Sequence, residues 1–568
     1  MKNTGYIVIS LLILSTLFWQ FKTQEENVAP STQEITLCAS PARETRPRSD
    51  GKFITALKGW GNVHYEISTT EDSAQFYFDQ GLSFYFGYHF TEALASFKEA
   101  SRLDPTCAMT YWGQALSMGP YYNTYVYKMK SEVPTIVAAM TKRMADASEK
   151  ERLLMKTLQK RYSNDLTNAD RQQLDRAYAL ALASLEKRYP SDDNITSLYI
   201  DAVMLEHKWD YWDQQGNPRP WTPALVAKCE RVLRHAQHPA VLHYYIHLTE
   251  ASRQPGKALA AAEELKDQIP GIGHMVHMAS HMYQRNGLYE KGVRINEEAN
   301  TVNNTVDAAV PELGLGRDRS PHFFAVQSYC AMTAGMHRDG QQLYQRARDR
   351  QVALSGDLSK DLYAQFVYMM PVMANVRLGQ WDDILQSADV DPHWKYAIVL
   401  DNFAKGLASL RKNNPEAATQ SLQKIDATIQ DETLGKRLLP FNSPLQSCRI
   451  AKFILEGEIH FAANEHDAAI KSFQSAIEEE DNMVYREPQD WLIPARQYLG
   501  FRLLAMQKPQ EAEKTYREDL LLHPGNGWSL LGLYQSLQAQ QSNEAAVYKE
   551  KYQKAFAASD LTITASVF

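Results

Sequence analysis

Between Ala74 and Pro105 the chain reads "AQFYFDQGLSFYFGYHFTEALASFKEASRLDP", with Gly81, Ala93, Phe97, Ala100 and Pro105 at the eighth, 20th, 24th, 27th and 32nd positions. The same ruler fits elsewhere. A unit from Pro239 carries Ala258, Ala262, Leu265 and Pro270 at positions 20, 24, 27 and 32, and the next unit starts 34 residues on, at Gly273. A unit from Pro321, reached after an insertion of 14 residues, carries Gly340, Tyr344 and Ala347. Further units start at about Ile450 (Gly457, Ala469, Phe473, Ala476), Ile493 (Leu499, Gly500, Ala512, Tyr516, Pro524) and Gly527 (Ala546). Self-similarity at such a period constrains a fold strongly, because each unit must bury its apolar face on its neighbours. Helical periodicity dominates from about residue 70 onward and strand-like alternation is scarce.

These positions resemble the tetratricopeptide (TPR) repeat, a pair of antiparallel helices in which small residues let the helices approach closely and a proline ends the second. The resemblance covers most of residues 74 to 555, weakly between about 110 and 190 and between 350 and 445. It implies an all-α fold: a TPR-like helical-repeat solenoid, a superhelix of antiparallel helix pairs with a concave groove, and binding of a protein or peptide partner there. The expected organisation is a signal peptide or N-terminal anchor over 1–22 and a flexible linker over 23–60. An N-terminal TPR array over 61–345, a C-terminal TPR array over 346–558 and a tail over 559–568 follow.

Composition narrows the function. With 568 residues and 44% hydrophobic content, the chain exceeds a single compact core, as a repeat array would. The 60 basic and 67 acidic residues form no long run of either sign, so nothing tracks a phosphate backbone and nucleic acid is not an expected partner. Cys38, Cys107, Cys229, Cys330 and Cys448 are scattered without a CxxC pair, against a disulfide scaffold or zinc ribbon. At the amino terminus, one lysine precedes a nearly uncharged stretch from Tyr6 to Phe21, which suits a signal segment or a short anchor. The expectation is export to the periplasm, or anchoring to the inner membrane facing it, with membrane contact only through that segment. Residues 23 to about 60 are rich in Thr, Ser, Pro, Glu and Arg without periodicity, as in a tether.

Two histidine-rich stretches, "HYYIHLTE" from His243 and "GHMVHMASHMY" from Gly273, can be placed by the repeat register, which was set from packing positions alone. At 100° per residue, positions 4, 7, 8 and 11 of a first helix face the packing side and positions 2, 5, 9 and 12 face the opposite, groove side. His243, His247 and Glu250 fall at positions 5, 9 and 12 of the Pro239 unit; His274, His277 and His281 at 2, 5 and 9 of the Gly273 unit; His322 at 2 of the Pro321 unit. Six of twelve groove positions are histidine, where random placement of 16 histidines among 568 residues predicts about a third of one. A lone helical histidine is usually a satisfied polar residue, but six in one phase are not explained that way.

Two readings follow. One is a transition-metal centre: histidines at i and i+4 can direct two imidazoles at one ion, as His243/His247 and His277/His281 do, with Glu250 as a further ligand, an outer partner or a catalytic base. Because His274 and His281 lie about 10 Å apart along their helix, either a dinuclear site forms or one histidine stays outside. Two three-histidine sites would suit copper; a mixture with Glu250 and Asp201, at position nine of a weaker unit from Asp193, would suit zinc or iron. Such a centre could serve a metal-dependent hydrolase or oxidoreductase, using metal-activated water or oxygen. The other reading is a TPR adaptor that holds a protein or peptide by hydrogen bonds, without metal or catalysis. The aromatic insertion His207–Pro223, the Asn303–Ser320 insertion and "GPYYNTYVY" from Gly119 could cap the groove or simply pack. No GxSxG, P-loop, dinucleotide fingerprint or HExxH is present. Together, "LDPTCAMTYWG", "HYYIH" and "GHMVHMASH" resemble a group of exported bacterial TPR proteins.

Overall fold

The computed structural model describes residues 35–36, 42–163, 166–167, 170–316, 321–436 and 441–568. The expected signal segment and Cys38 lie outside the described residues. Among the described residues no helix is long and apolar enough to cross a membrane.

The chain is an all-α, TPR-like solenoid of helix pairs. Asp72–Phe86 pairs with Phe90–Leu103, Gly273–Arg285 with Tyr289–Ala309, Pro321–Thr333 with Arg338–Ser355, and Pro509–Leu522 follows Ala495–Ala505. Helices begin at Pro239, Gly273, Pro321 and Gly527, where the ruler starts its units. A two-stranded ribbon, Ile35–Thr36 against Thr124–Val126, is the one sheet among the described residues.

The packing explains the ruler. A Cβ on Gly81 would come within 2.9 Å of the Phe97 ring, and one on Gly113, in the next helix, within 2.3 Å of the same ring. Gly500 and Gly532 flank Tyr516 in the same way, at 2.5 and 2.2 Å. The aromatic residue at position 24 is therefore wedged between two helices that can approach only where Cβ is missing. Position 15, between the two helices of a unit, is left-handed in six of the seven units: Tyr88, Gly287, Gly335, Asn464, Gln507 and Gln541 all have φ between 56° and 78°, and Arg253 of the Pro239 unit is the exception. One buried apolar core runs from Ala42 to Phe323 and a second from Tyr289 to Val567.

Two of the expected boundaries need correction. The tether does not extend to residue 60: Ile54 and Leu57 are buried, and the Leu57 N–H donates to Gln80 Oε1 at 2.8 Å. The segment lacks periodicity because helix side chains, Gln80 and Glu99 among them, bind its backbone. Nor is 559–568 a loose tail: Val567 and Ser566 are buried, the Tyr516 hydroxyl lies 2.6 Å from Ser566 Oγ, and Phe568 packs on Trp528.

The superhelix also closes on itself. The Arg285 guanidinium donates to the Leu522 carbonyl at 3.1 Å, Trp528 Nε1 to the Thr333 carbonyl at 2.9 Å, and Gly287 meets Gly525 backbone to backbone. The expected open groove is thereby filled over the middle repeats by the C-terminal array, and the six histidines lie in the interior.

Candidate metal centre

Three consecutive first helices, Pro239–Thr249, Gly273–Arg285 and Pro321–Thr333, supply the histidines. His243, His247, His274, His277 and His281 are at most 1% exposed. They form two groups of three, His243/His247/His274 and His277/His281/His322, with one ring nitrogen from each member lying within 4.8 Å of the others. The groups adjoin: the His247 and His281 rings are 5.9 Å apart, and His274 and His277 6.0 Å.

Hydrogen bonds on the outer side place the Nδ1 proton of four rings, whereas His274 Nδ1 is buried without a partner. His243 Nδ1 lies 2.8 Å from the Phe86 carbonyl, which can only accept, so Nδ1 carries the proton and Nε2 a lone pair. His247 Nδ1 faces Glu250 Oε1 at 3.1 Å and His281 Nδ1 faces Glu250 Oε2 at 2.7 Å. His277 Nδ1 faces Asn296 Oδ1 at 2.5 Å, and that amide is oriented because its Nδ2 donates to the Gly292 carbonyl. The inner nitrogens then confront one another: His243 Nε2 is 3.1 Å from both His247 Nε2 and His274 Nε2, and His277 Nε2 is 3.0 Å from His281 Nε2. Facing lone pairs repel unless a cation lies between them. An ion about 2.0–2.1 Å from two nitrogens subtending about 100° holds them about 3.1 Å apart, which is the observed spacing.

Electrostatics favour the neutral ring in five of the six histidines. Burial, reinforced by neighbouring histidines, holds His243, His274, His277 and His322 well below the usual imidazole range and His247 down to about 3. His281 goes the other way: burial opposes its charge, but Glu487 and Glu250 outweigh that and raise it. Neutral imidazole is the form that binds a metal.

Glu250 bridges two rings from behind, through both carboxylate oxygens. It therefore orients ligands, and a base that must reach a substrate proton would need another place. Asp201 stands outside every group of candidate ligands among the described residues and is corrected as an accessory ligand. Its carboxylate accepts a hydrogen bond from the Tyr85 hydroxyl at 2.7 Å, because its helix, Asp193–Glu206, precedes the histidine units and packs toward the first one.

Sequence reasoning missed three contributors. Glu487 reaches His281 Nδ1 at 3.1 Å from the C-terminal array; burial, then the Glu250 charge, pushes its carboxyl up to about 7. Asn296 comes from a second helix. Tyr88 sits in the left-handed turn position with its ring 4.6 Å from His243 and 5.4 Å from His274. A bulky tyrosine there is strained relative to the glycine found in two sister units, Gly287 and Gly335. Of the aromatic inserts, Trp209 and Tyr122 reach the site, stacking on each other at 4.9 Å and flanking His247 at 6.0 and 4.9 Å; Trp221 packs its own loop on His207.

Fold and site together define a TPR-like solenoid that closes around a buried cluster of histidines. Neither a protein-family model nor a curated protein matches the sequence. Among solved structures the chain is similar to the human IFIT1 dimer with m7Gppp-AAAA, at 12% identity over 87% of this chain and 92% of that one, TM-score 0.27. It is also similar to yeast Tom70, at 13% identity over 86% of each chain, TM-score 0.29.

Proposed function

We propose that this chain binds two transition-metal ions side by side, one on His243, His247 and His274 and one on His277, His281 and His322. The observation that carries the reading is two pairs of inner Nε2 atoms, His243/His247 at 3.1 Å and His277/His281 at 3.0 Å, in rings whose Nδ1 atoms all face acceptors on the opposite side. With Glu250 behind the rings, the donor set is all imidazole, and nitrogen sites of this kind bind copper most tightly among divalent first-row ions. Copper is therefore the proposed metal. Three protein ligands per ion leave a coordination position open, as catalytic sites do and structural sites do not, so an enzymatic use of bound water or oxygen is the favoured role.

Elemental analysis of untagged protein, loaded with Cu(II) and desalted, tests this. Two coppers per chain are expected, falling to one in His247→Ala and in His277→Ala and to none in the double variant. A folded wild-type protein that retains no transition metal would sink the proposal. A partner-binding role is compatible with the helical solenoid, but such a partner would meet its outer surface, since Phe441 and Glu487 of the C-terminal array already lie against the site.

A further inference from the structure

A cavity of about 130 Å³ adjoins the centre, and its wall includes His247, Glu250, Tyr122, Trp209 and Arg285, with Arg253 at its exposed end. Three donors on this wall, the Tyr122 hydroxyl, Trp209 Nε1 and Trp491 Nε1, are buried and have no acceptor. A buried donor left unpaired is destabilising, so the wall is built for something that brings acceptors.

The charges on the wall are unequally matched. Its carboxylates are occupied: Asp481 takes two bonds of 2.7 Å from Arg496, Asp490 accepts from Arg486 and Asn442, Glu480 accepts the Ala495 N–H, and Asp213 accepts the Asn217 N–H and side-chain amide. Its free cations are not. Arg285 donates only to the carbonyls of Glu250, Ser252 and Leu522, and Arg253 only to those of Gln214 and Gln215. Burial and the neighbouring Arg285 charge depress the Arg253 guanidinium, against the opposing effect of Asp481 and Asp213, neither of which it bonds.

Orphan donors and unmatched guanidinium groups call for an anion with oxygen acceptors, and the stacked Tyr122/Trp209 pair offers a flat aromatic wall beside His247. We propose that this cavity binds a small aromatic carboxylate, its carboxylate toward Arg253 and Arg285 and its ring against Tyr122 and Trp209, as a substrate of the adjoining centre. The assignment as substrate rests on the reading that the histidines hold metal; the binding itself does not.

Calorimetric titration of benzoate into the full chain, metal-loaded and chelator-stripped, separates the two, with metal content measured on each sample. Saturable binding is expected, weakened about tenfold or more by Arg253→Gln and by Trp209→Leu. Benzamide, which keeps the ring, and cyclohexanecarboxylate, which keeps the charge, should each bind about tenfold more weakly than benzoate. Arg253 is the first choice because it is exposed, whereas Arg285 braces three carbonyls; circular dichroism verifies the fold of each variant. Absence of benzoate binding to folded, metal-loaded protein at about millimolar concentration overturns the proposal, and so does binding indifferent to both substitutions. Benzoate binding to a chain that takes up no metal upholds the cavity while sinking the metal centre.

Discussion

The Gly273 and Ile450 units carry a buried polar residue at the same place, position nine of the first helix: His281 in one and Glu458 in the other. Glu458 is completed by its neighbours. Arg411 Nη1 donates to Oε2 at 2.6 Å, Arg502 Nε to Oε1 at 2.8 Å, and Arg502 Nη2 adds a further bond. Its charge is balanced within the repeat array, and the two arginines depress its carboxyl to about 2 against the opposing effect of burial. His281 is completed by carboxylates only behind its ring, while its inner nitrogen lies 3.0 Å from Nε2 of His277, a ring held neutral by burial. A buried polar group whose partners are all present locks a superhelix; one whose remaining lone pair points at another lone pair is waiting for a ligand.

Acid should separate the two regions most strongly. In metal-free protein, the five depressed histidines and their unfolded counterparts are all neutral above about pH 6.5 and contribute no pH dependence. Below that the unfolded chain takes up protons that the folded site refuses, so stability falls by about 1.4 kcal/mol per pH unit for each such group, down toward pH 3 for His247. Glu458 is ionised in both states above about 4.5; its stabilisation is intact there and lost as pH falls from 4.5 toward 2. Hydrogen exchange followed by mass spectrometry should show the Pro239 and Gly273 helices opening between pH 6.5 and 4.5, with Pro444–Ala462 still protected. Copper should abolish that difference, because it occupies the nitrogens that protons would take. Simultaneous opening of both regions would erase the distinction.

Glu458→Gln comes next. It leaves two partly buried guanidinium groups without their counter-charge, and breaking a fully buried pair costs about 3–5 kcal/mol, which partial exposure of the arginines reduces. The denaturant midpoint should fall markedly while copper content stays at the wild-type value. If copper is lost as well, the two regions are one cooperative unit and the contrast drawn between them fails.

The repeat register was readable because close helix contact tolerates only small residues at positions such as Gly81 and Gly500, and this leaves a periodic trace. The phase of the histidines followed from that register, so six residues scattered over 80 positions could be assigned to one face. The partners behind the rings left no such trace. The Phe86 oxygen is backbone, Asn296 lies on a second helix where any polar residue would fit the pattern, and Glu487 is 206 residues from His281 in sequence. Closure of the groove was equally hidden, since superhelical curvature accumulates from small rotations per repeat that no single unit specifies. Asp201 had the right register position but the wrong unit, and Ile54 and Leu57 lie in a segment whose order comes from its contacts and not from its own periodicity.

The smallest expected effect tests the one point where the two regions meet. Glu487 belongs to the C-terminal array and lies 3.1 Å from His281 Nδ1, whose hydrogen bond goes to Glu250, so removing its charge leaves the ring facing one carboxylate instead of two. Loss of an outer carboxylate partner of a metal-bound histidine typically weakens affinity about 10–100-fold. Glu487→Gln keeps the shape and should lower copper affinity, measured by competition with a chelator of known affinity, within that range. The weaker step should belong to the ion on His277, His281 and His322, leaving the other three-histidine group unchanged. Glu250→Gln, which touches His247 and His281 together, should weaken both steps. Equal weakening of both steps by Glu487→Gln would mean that the carboxylate acts through overall charge and not through His281, and the C-terminal array would then be a cover for the site with no part in orienting it.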